Sequence, residues 1–251
     1  VDCGISCGPE VQSILARGID VVITDHHEPG ENVPIGVPVA DPKCDPGCPS
    51  RDLAGAGVAL KLICLLGERF GKPDVWRDLT DFASLGTIAD LMPLRGENRS
   101  LVADGVARIS NSPRVSMVAL AAVCGVDPAE ITSTRLSFSL IPRMNAAGRM
   151  GDATVALDLL LCDDAQEAEK LASQLEAVNN ERRSVESELT EQVEEQLARE
   201  YVEEDVIVAA GQGWHEGVKG IVASRIARKY KRPTIIFSID GAVAQGSGRT
   251  Y

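Results

Sequence analysis

The chain has 251 residues, 44% of them hydrophobic, and carries 37 acidic against 25 Lys and Arg side chains for a net charge of −12. Its mean hydropathy is close to zero, no apolar run approaches the roughly 20 residues of a membrane-spanning helix, and no secretory signal opens it. Seven cysteines, an odd number in a chain long enough to build one good core or two modest ones, argue for reduced thiols in a cytoplasm and against a disulfide framework.

The acidity is not spread evenly. Residues 163–205 hold 15 acids and 4 bases, leaving 22 acids and 21 bases elsewhere, so the net charge does not exclude a phosphate-binding surface.

The chain opens without Met on Val1-Asp2-Cys3-Gly4, which reads as the end of a strand and as the start of a piece cut from a longer protein. Pro9 sits in the first turn of a predicted helix that runs to about Arg17, where a missing N–H costs nothing. Gly18 ends it, and Ile19–Thr24 is a β-branched apolar run typical of a buried strand. A short strand follows at Val37–Pro42, giving the βαβ rhythm of a parallel sheet. Residues 42–51 form a Pro/Gly/Cys-rich loop. Cys3/Cys7 and Cys44/Cys48 are spaced C-x3-C, looser than the usual C-x2-C of zinc sites, so small loop residues are the better account of them.

Leu53–Phe70 is a predicted helix whose Ala54-Gly55-Ala56-Gly57 start permits close packing or close approach of a ligand. Helices are expected at 74–89, 98–109, 114–124 and 133–141, the last broken by Pro142. From Asp163 to Tyr201 the apolar residues Leu171, Leu175, Val178, Val185, Leu189, Val193 and Leu197 recur at threes and fours. That spacing predicts an amphipathic helix of about ten turns, its stripe interrupted at Arg182. A second α/β unit follows: strand Val206–Ala210, helix Val218–Tyr230, strand Thr234–Ser238, and another strand beginning at Ala242–Gln245. The predicted organisation is α/β: a parallel-sheet domain over 1–162, a connecting helix over 163–203, and a smaller α/β domain over 204–251.

The chemistry concentrates where the Val21–Thr24 run ends in Asp25-His26-His27, two of the three histidines in the chain. Ligands bind beyond the carboxyl ends of parallel strands, and Asp and His are ligands for divalent metals at hydrolytic centres. Asp2 ends another apparent strand. Asp90 closes the apolar stretch Gly86-Thr87-Ile88-Ala89, a place where a carboxylate is costly unless paired or metal-bound. Together these residues suit Mn²⁺ or Mg²⁺ better than a thiolate zinc site.

At these residues the sequence resembles the DHH phosphoesterase superfamily, and within it the bacterial exonucleases of single-stranded DNA. Val1–Ser6, Thr24–His27 and Leu85–Asp90 look like the second, third and fourth superfamily motifs. Pro142–Gly151, Gly213–Arg225 and Gly246–Thr250 resemble the exonuclease branch more narrowly, with Thr250 where that branch usually has Ser. The resemblance implies a two-metal, usually Mn-dependent phosphodiesterase that degrades single-stranded DNA 5′→3′ in repair and recombination. It implies that Asp2 bridges the metals, that His26 and Asp90 ligate one of them, that His27 contacts the phosphate or orients a ligand, and that Asp25 fixes an imidazole. It also implies a C-terminal domain that grips a single strand by its 5′ end.

Lys219, Arg225, Arg228, Lys229, Lys231 and Arg232 form a local basic run, of which Lys229–Arg232 reads as a solvated helix face. Gly246-Ser247-Gly248-Arg249 offers N–H groups, a hydroxyl and a guanidinium to a terminal phosphate. Arg143, Asn145, Arg149, His215, Arg225, Ser247 and Arg249 are therefore the expected substrate contacts. The superfamily's Asp-rich first motif and the OB-fold of the exonucleases have no counterpart in the chain, so the piece alone is expected to hold one metal and to be an inefficient nuclease. The alternatives are a nano-RNA or cyclic-dinucleotide phosphodiesterase, which typically carries Gly-Gly-His where this chain has Gly-Ser-Gly-Arg, and a non-catalytic nucleic-acid-binding relative, against which the presence of Asp2, His26, His27 and Asp90 argues.

Overall fold

The computed structural model describes residues 1–200 and 205–251. They form two compact units, Val1–Ile141 and Pro142–Tyr251. Among the described residues no helix is long and apolar enough to cross a membrane.

In the first unit, α1 (Gly8–Leu15) leads to β1 (Ile23–Thr24), which pairs in parallel with β2 (Val39–Ala40), Ile23 opposite Val39. The expected strands over 19–24 and 37–42 shrink to two residues each. The segment before Ile23 does not enter a buried ladder, since Ile19 and Val22 are more than half exposed. The buried stretch starts at Ile23 and runs through Thr24, Asp25 and His26. Helices α2 (Gly55–Arg69), α3 (Thr80–Ala89), α4 (Gly96–Asn111) and α5 (Val115–Val123) follow, with a 3-10 turn over Val75–Leu79 ahead of α3.

Glycines set how closely these helices pack. A Cβ on Gly86 of α3 would lie 2.5 Å from Ala56 Cβ of α2, and one on Gly105 of α4 would lie 1.9 Å from Ser84 Oγ. Neither position has room for a side chain. Ser84 Oγ bonds the Thr80 carbonyl at 2.7 Å and Thr87 Oγ1 the Ala83 carbonyl at 2.7 Å, so the buried hydroxyls of α3 are satisfied within its own turns.

One expectation fails at Pro142. A short helix α6 (Ser133–Arg135) passes into a π-turn at Leu136–Leu140 and continues as α7 (Ile141–Met150). The Ile141 N–H bonds the Leu136 carbonyl, five residues back. The widened turn changes the ladder just ahead of the proline, whose missing N–H and ring would otherwise break it.

The second unit continues with α8 (Thr154–Leu161) and the 36-residue α9 (Ala165–Glu200), then β3 (Ile207–Gln212), α10 (Glu216–Tyr230), β4 (Thr234–Asp240) and β5 (Val243–Arg249). The helix predicted to reach Tyr201 is described as far as Glu200; Tyr201 and the rest of the expected connector to 203 lie outside the described residues. The sheet order is β3-β4-β5, parallel between β3 and β4 and antiparallel between β4 and β5.

Leu189, Val193 and Leu197 of α9 pack with Ile207 of β3, Val218, Val222 and Ile226 of α10 and Ile236 of β4 in one buried core. Each such side chain contributes about 1.5–3 kcal/mol by leaving water. The boundary expected at 162/163 is thus displaced to 141/142. Helix α8 packs on α9, and α9 packs on α10 and β3, so the long helix is a wall of the second unit and not a free connector. Arg182 interrupts the apolar stripe because α9 turns polar there: it ion-pairs with the buried Glu186, which also holds Arg225 of α10.

Candidate metal centre

The β1 strand ends in Thr24, and the next residue, Asp25, is 1% exposed. Its Oδ2 accepts the Ile5 N–H at 2.9 Å. Its Oδ1 accepts the His26 N–H at 2.7 Å and the His27 N–H at 3.3 Å, and lies 2.7 Å from His27 Nδ1. Burial alone would raise this carboxyl. The hydrogen bonds from Ile5 N–H, the His27 ring and the His26 and His27 N–H groups outweigh it and bring the pKa to about 2. Hydrogen bonding to Asp25 in turn raises His27 above its ordinary value. Asp25 therefore stays ionised and shapes the turn that presents both imidazoles. Its ring partner is His27, whose Nε2 is left as the nitrogen it can offer.

His26 is buried, and its two nitrogens face two carboxylates. Nε2 lies 3.1 Å from Asp2 Oδ1, and Nδ1 lies 3.5 Å from Asp90 Oδ2. The longer approach is not a hydrogen bond, so Nδ1 is a buried nitrogen without a hydrogen-bond partner. Both nitrogens of the buried ring thus face carboxylate oxygens, and a divalent cation among these groups would draw its ligands from them. Ligand atoms of Asp2, His26 and His27 all lie within 4.8 Å of one another. Asp90 adjoins this group through His26, at the end of α3. The donor set is carboxylate and imidazole, which fits Mn²⁺ or Mg²⁺.

Backbone geometry aims the carboxylates. Asp2 has φ 59° and Leu91, next to Asp90, has φ 55°, left-handed conformations that cost a residue with a Cβ roughly 1–2 kcal/mol. Asp2 is tied to the strand end by its N–H to the Thr24 carbonyl at 2.8 Å. Leu91 closes α3 where glycine is usual. The Met92 N–H reaches back to the Thr87 carbonyl at 3.1 Å, and this closure leaves Asp90 at the helix end.

Gly55 is the residue that sequence reasoning did not assign to the centre. A Cβ there would sit 2.0 Å from Asp2 Oδ1, so only glycine lets the start of α2 approach that carboxylate. The Ala54–Gly57 run signalled a close approach but not its partner. The cysteines stay outside the centre: all seven are free, and among the described residues no three of them form a metal-sized group.

The expected substrate contacts separate into distinct settings within the second unit. Arg143 is buried in an ion pair with Glu176, while the exposed Arg225 pairs with the buried Glu186; both bind α9. Asn145 is exposed on α7. Arg149 Nη1 donates to the Gly217 carbonyl at 3.3 Å. A Cβ on Gly217 would lie 1.9 Å from the Arg149 carbonyl oxygen, so this arginine joins α7 to the start of α10. His215 caps α10, its Nδ1 accepting the Gly217 N–H at 3.1 Å. Ser247 and Arg249 lie together on β5, the guanidinium donating to Ser247 Oγ at 3.1 Å. Both lie against Gly220 of α10, where a Cβ would come within 2.9 Å of Arg249 Nη2 and 3.0 Å of Ser247 Oγ.

Lys219, from the same basic run, is 5% exposed. It bonds Glu216 Oε2 at 2.6 Å and the Gln245 carbonyl at 2.8 Å. Lys229 pairs with Glu194 at the surface.

Residues 1–87 match the model of the DHH family, N-terminal domain. The whole chain is 40% identical to 32% of the single-stranded-DNA-specific exonuclease RecJ of Bacillus subtilis. Nearly all of it is 40% identical to 35% of the RecJ of Thermus thermophilus. Among solved structures, RecJ from Thermus thermophilus in complex with Mn²⁺ superposes on the whole chain with a TM-score of 0.89 at 38% identity over 37% of that protein. An exonuclease RecJ bound to manganese gives 0.86 at 38% identity over 62% of its chain. The chain spans between about a third and a half of the length of the curated RecJ relatives it matches.

Proposed function

We propose that this chain, whose residues 1–87 match the DHH N-terminal domain model and which is similar along its whole length to parts of RecJ exonucleases, takes part in metal-dependent hydrolysis of single-stranded DNA from its 5′ end, in DNA repair and recombination. The observation that carries the reading is His26 with one nitrogen facing Asp2 and the other facing Asp90. Asp2, His26 and Asp90 hold a divalent cation, Mn²⁺ or Mg²⁺. When bound, the cation supplies positive charge to a scissile phosphate and acidity to water. The site residues do the rest. Gly55 leaves room for Asp2 to point at His26. Asp25 holds the His27 ring by Nδ1, which leaves Nε2 to meet the cation or a phosphate oxygen. Ser247 and Arg249, beside the small Gly220, supply a hydroxyl and a guanidinium to a terminal phosphate.

The test is digestion of end-labelled single strands by excess protein in Mn²⁺. The expected result is loss of nucleotides from the 5′ end first, abolished by chelation and by His26→Ala. Shortening from the 3′ end, or a rate unaffected by His26→Ala, contradicts the reading.

A further inference from the structure

Leu91, the residue after Asp90, and Phe138 face the same hollow. Leu91 holds a left-handed conformation at a helix end where glycine is the ordinary choice, and it is 82% exposed. Phe138 is 75% exposed and lies in the π-turn Leu136–Leu140, a feature that recurs at functional positions. Both line a cavity of about 270 Å³, with Leu94 beside them and the Ser137 hydroxyl at its edge; no carboxylate lines it. A leucine in strained backbone and a phenylalanine on a π-turn both leave apolar surface in water at a cost to the folded chain. The leucine in the left-handed position is a conflict of the kind expected where function and not stability chose the residue. All of these groups belong to the first unit.

We propose that Phe138 and Leu91 form a platform for a nucleobase of the single strand, next to the phosphate held at the cation site. The inference rests on the nuclease reading of that site. Ile88, Leu91 and Met92, which flank Asp90 in the chain, line the hollow, so a strand whose phosphate reaches the Asp90 carboxylate runs past it. The hollow is smaller than a drug-sized pocket and suits one planar heterocycle. An exposed aromatic face accepts any base, which fits a nuclease that must pass every sequence. The contact is a positioning one: it aligns the strand and touches no reacting atom.

The experiment compares binding of oligothymidylate and of an abasic strand of equal length and charge, both with cleavage-resistant phosphorothioate linkages, in Mn²⁺. The wild-type chain should prefer the strand with bases. Phe138→Ala should weaken binding of that strand by about tenfold and leave the abasic strand unchanged, while Phe138→Trp keeps the preference. Leu91→Gly separates this role from a structural one. Glycine relieves the left-handed strain, so its Tm should rise by roughly 2–4 °C as its preference for bases falls.

Equal binding of the two strands by wild type, or an unchanged preference in Phe138→Ala, overturns the platform. Mn²⁺ affinity distinguishes the two ideas. A Phe138→Ala chain that keeps its base preference while His26→Ala loses Mn²⁺ removes the platform and leaves the cation site standing. A base preference that depends on Phe138 beside a His26→Ala chain that binds Mn²⁺ normally does the reverse.

Discussion

Gly55 and Asp2 are in contact that no other residue at 55 would permit: a Cβ on the glycine would lie 2.0 Å from the aspartate Oδ1. The carboxylate is already committed to a left-handed backbone and to a 3.1 Å approach to His26 Nε2. Gly55→Ala must therefore turn Asp2 away from the imidazole. The expected outcome is at least a tenfold loss of Mn²⁺ affinity, the scale of a disturbed ligand shell, read from the spin-resonance signal of free Mn²⁺. Gly57→Ala is the control. Its Cβ would meet only the movable end of Leu53, at 2.9 Å, so the affinity should be kept.

Asp25 supports the same centre from below. Its carboxyl pKa of about 2 lies beneath the ordinary 3.8, so the folded state holds the proton less tightly than the unfolded chain. The resulting stability, about 2–3 kcal/mol, is present in full above pH 4 and is lost as pH falls through about 2. Denaturant titrations of metal-free protein should show Asp25→Asn less stable by that amount at pH 7, with the gap closing toward pH 2. A gap independent of pH would mean that the amide merely packs badly.

Arg225 and Arg249 looked equivalent in the sequence, and the structure gives them different work. Arg225→Ala removes one of the two guanidinium partners of the buried Glu186, Arg182 being the other, and should lower Tm. Arg249 is exposed and, among the described residues, bonds only its near neighbours Ser247 and Gly248. Arg249→Ala should leave Tm unchanged, weaken binding of 5′-phosphorylated strands, and reduce the dependence of log affinity on log salt by about one contact. Thermal melts and binding at several salt concentrations separate the two.

Lys219 ties α10 to β5 through the Gln245 carbonyl at 2.8 Å. Lys219→Met should cost about 1–3 kcal/mol, moderated because Glu216 can turn to water. Amide exchange should then quicken along β5, the strand that carries Ser247 and Arg249.

The Asp25-His26-His27 turn was legible because its partners are local: the carboxylate binds the two N–H groups that follow it. The second α/β unit was legible to within a few residues, since its alternation of strand and helix is carried by runs of Val and Ile between glycines. What failed depended on distant partners. Lys219 reads as surface charge until β5 folds over it. Arg182 reads as a flaw in an apolar stripe until Glu186 and Arg225 meet it. Ile19–Val22 reads as buried strand from composition alone, yet Val22 lies open. The unit boundary misled because a shift in charge at 163 is not a shift in packing: α8 packs on α9, and α9 shares one core with the sheet.

We propose that His26, between Asp2 and Asp90, helps to hold a divalent cation. Calorimetric titration of Mn²⁺ into the chain and into its His26→Ala variant tests it most directly, with circular dichroism to show that both are folded. The account predicts binding by the wild type and a loss of one to two orders of magnitude in the variant. Equal affinity in the two proteins would contradict it.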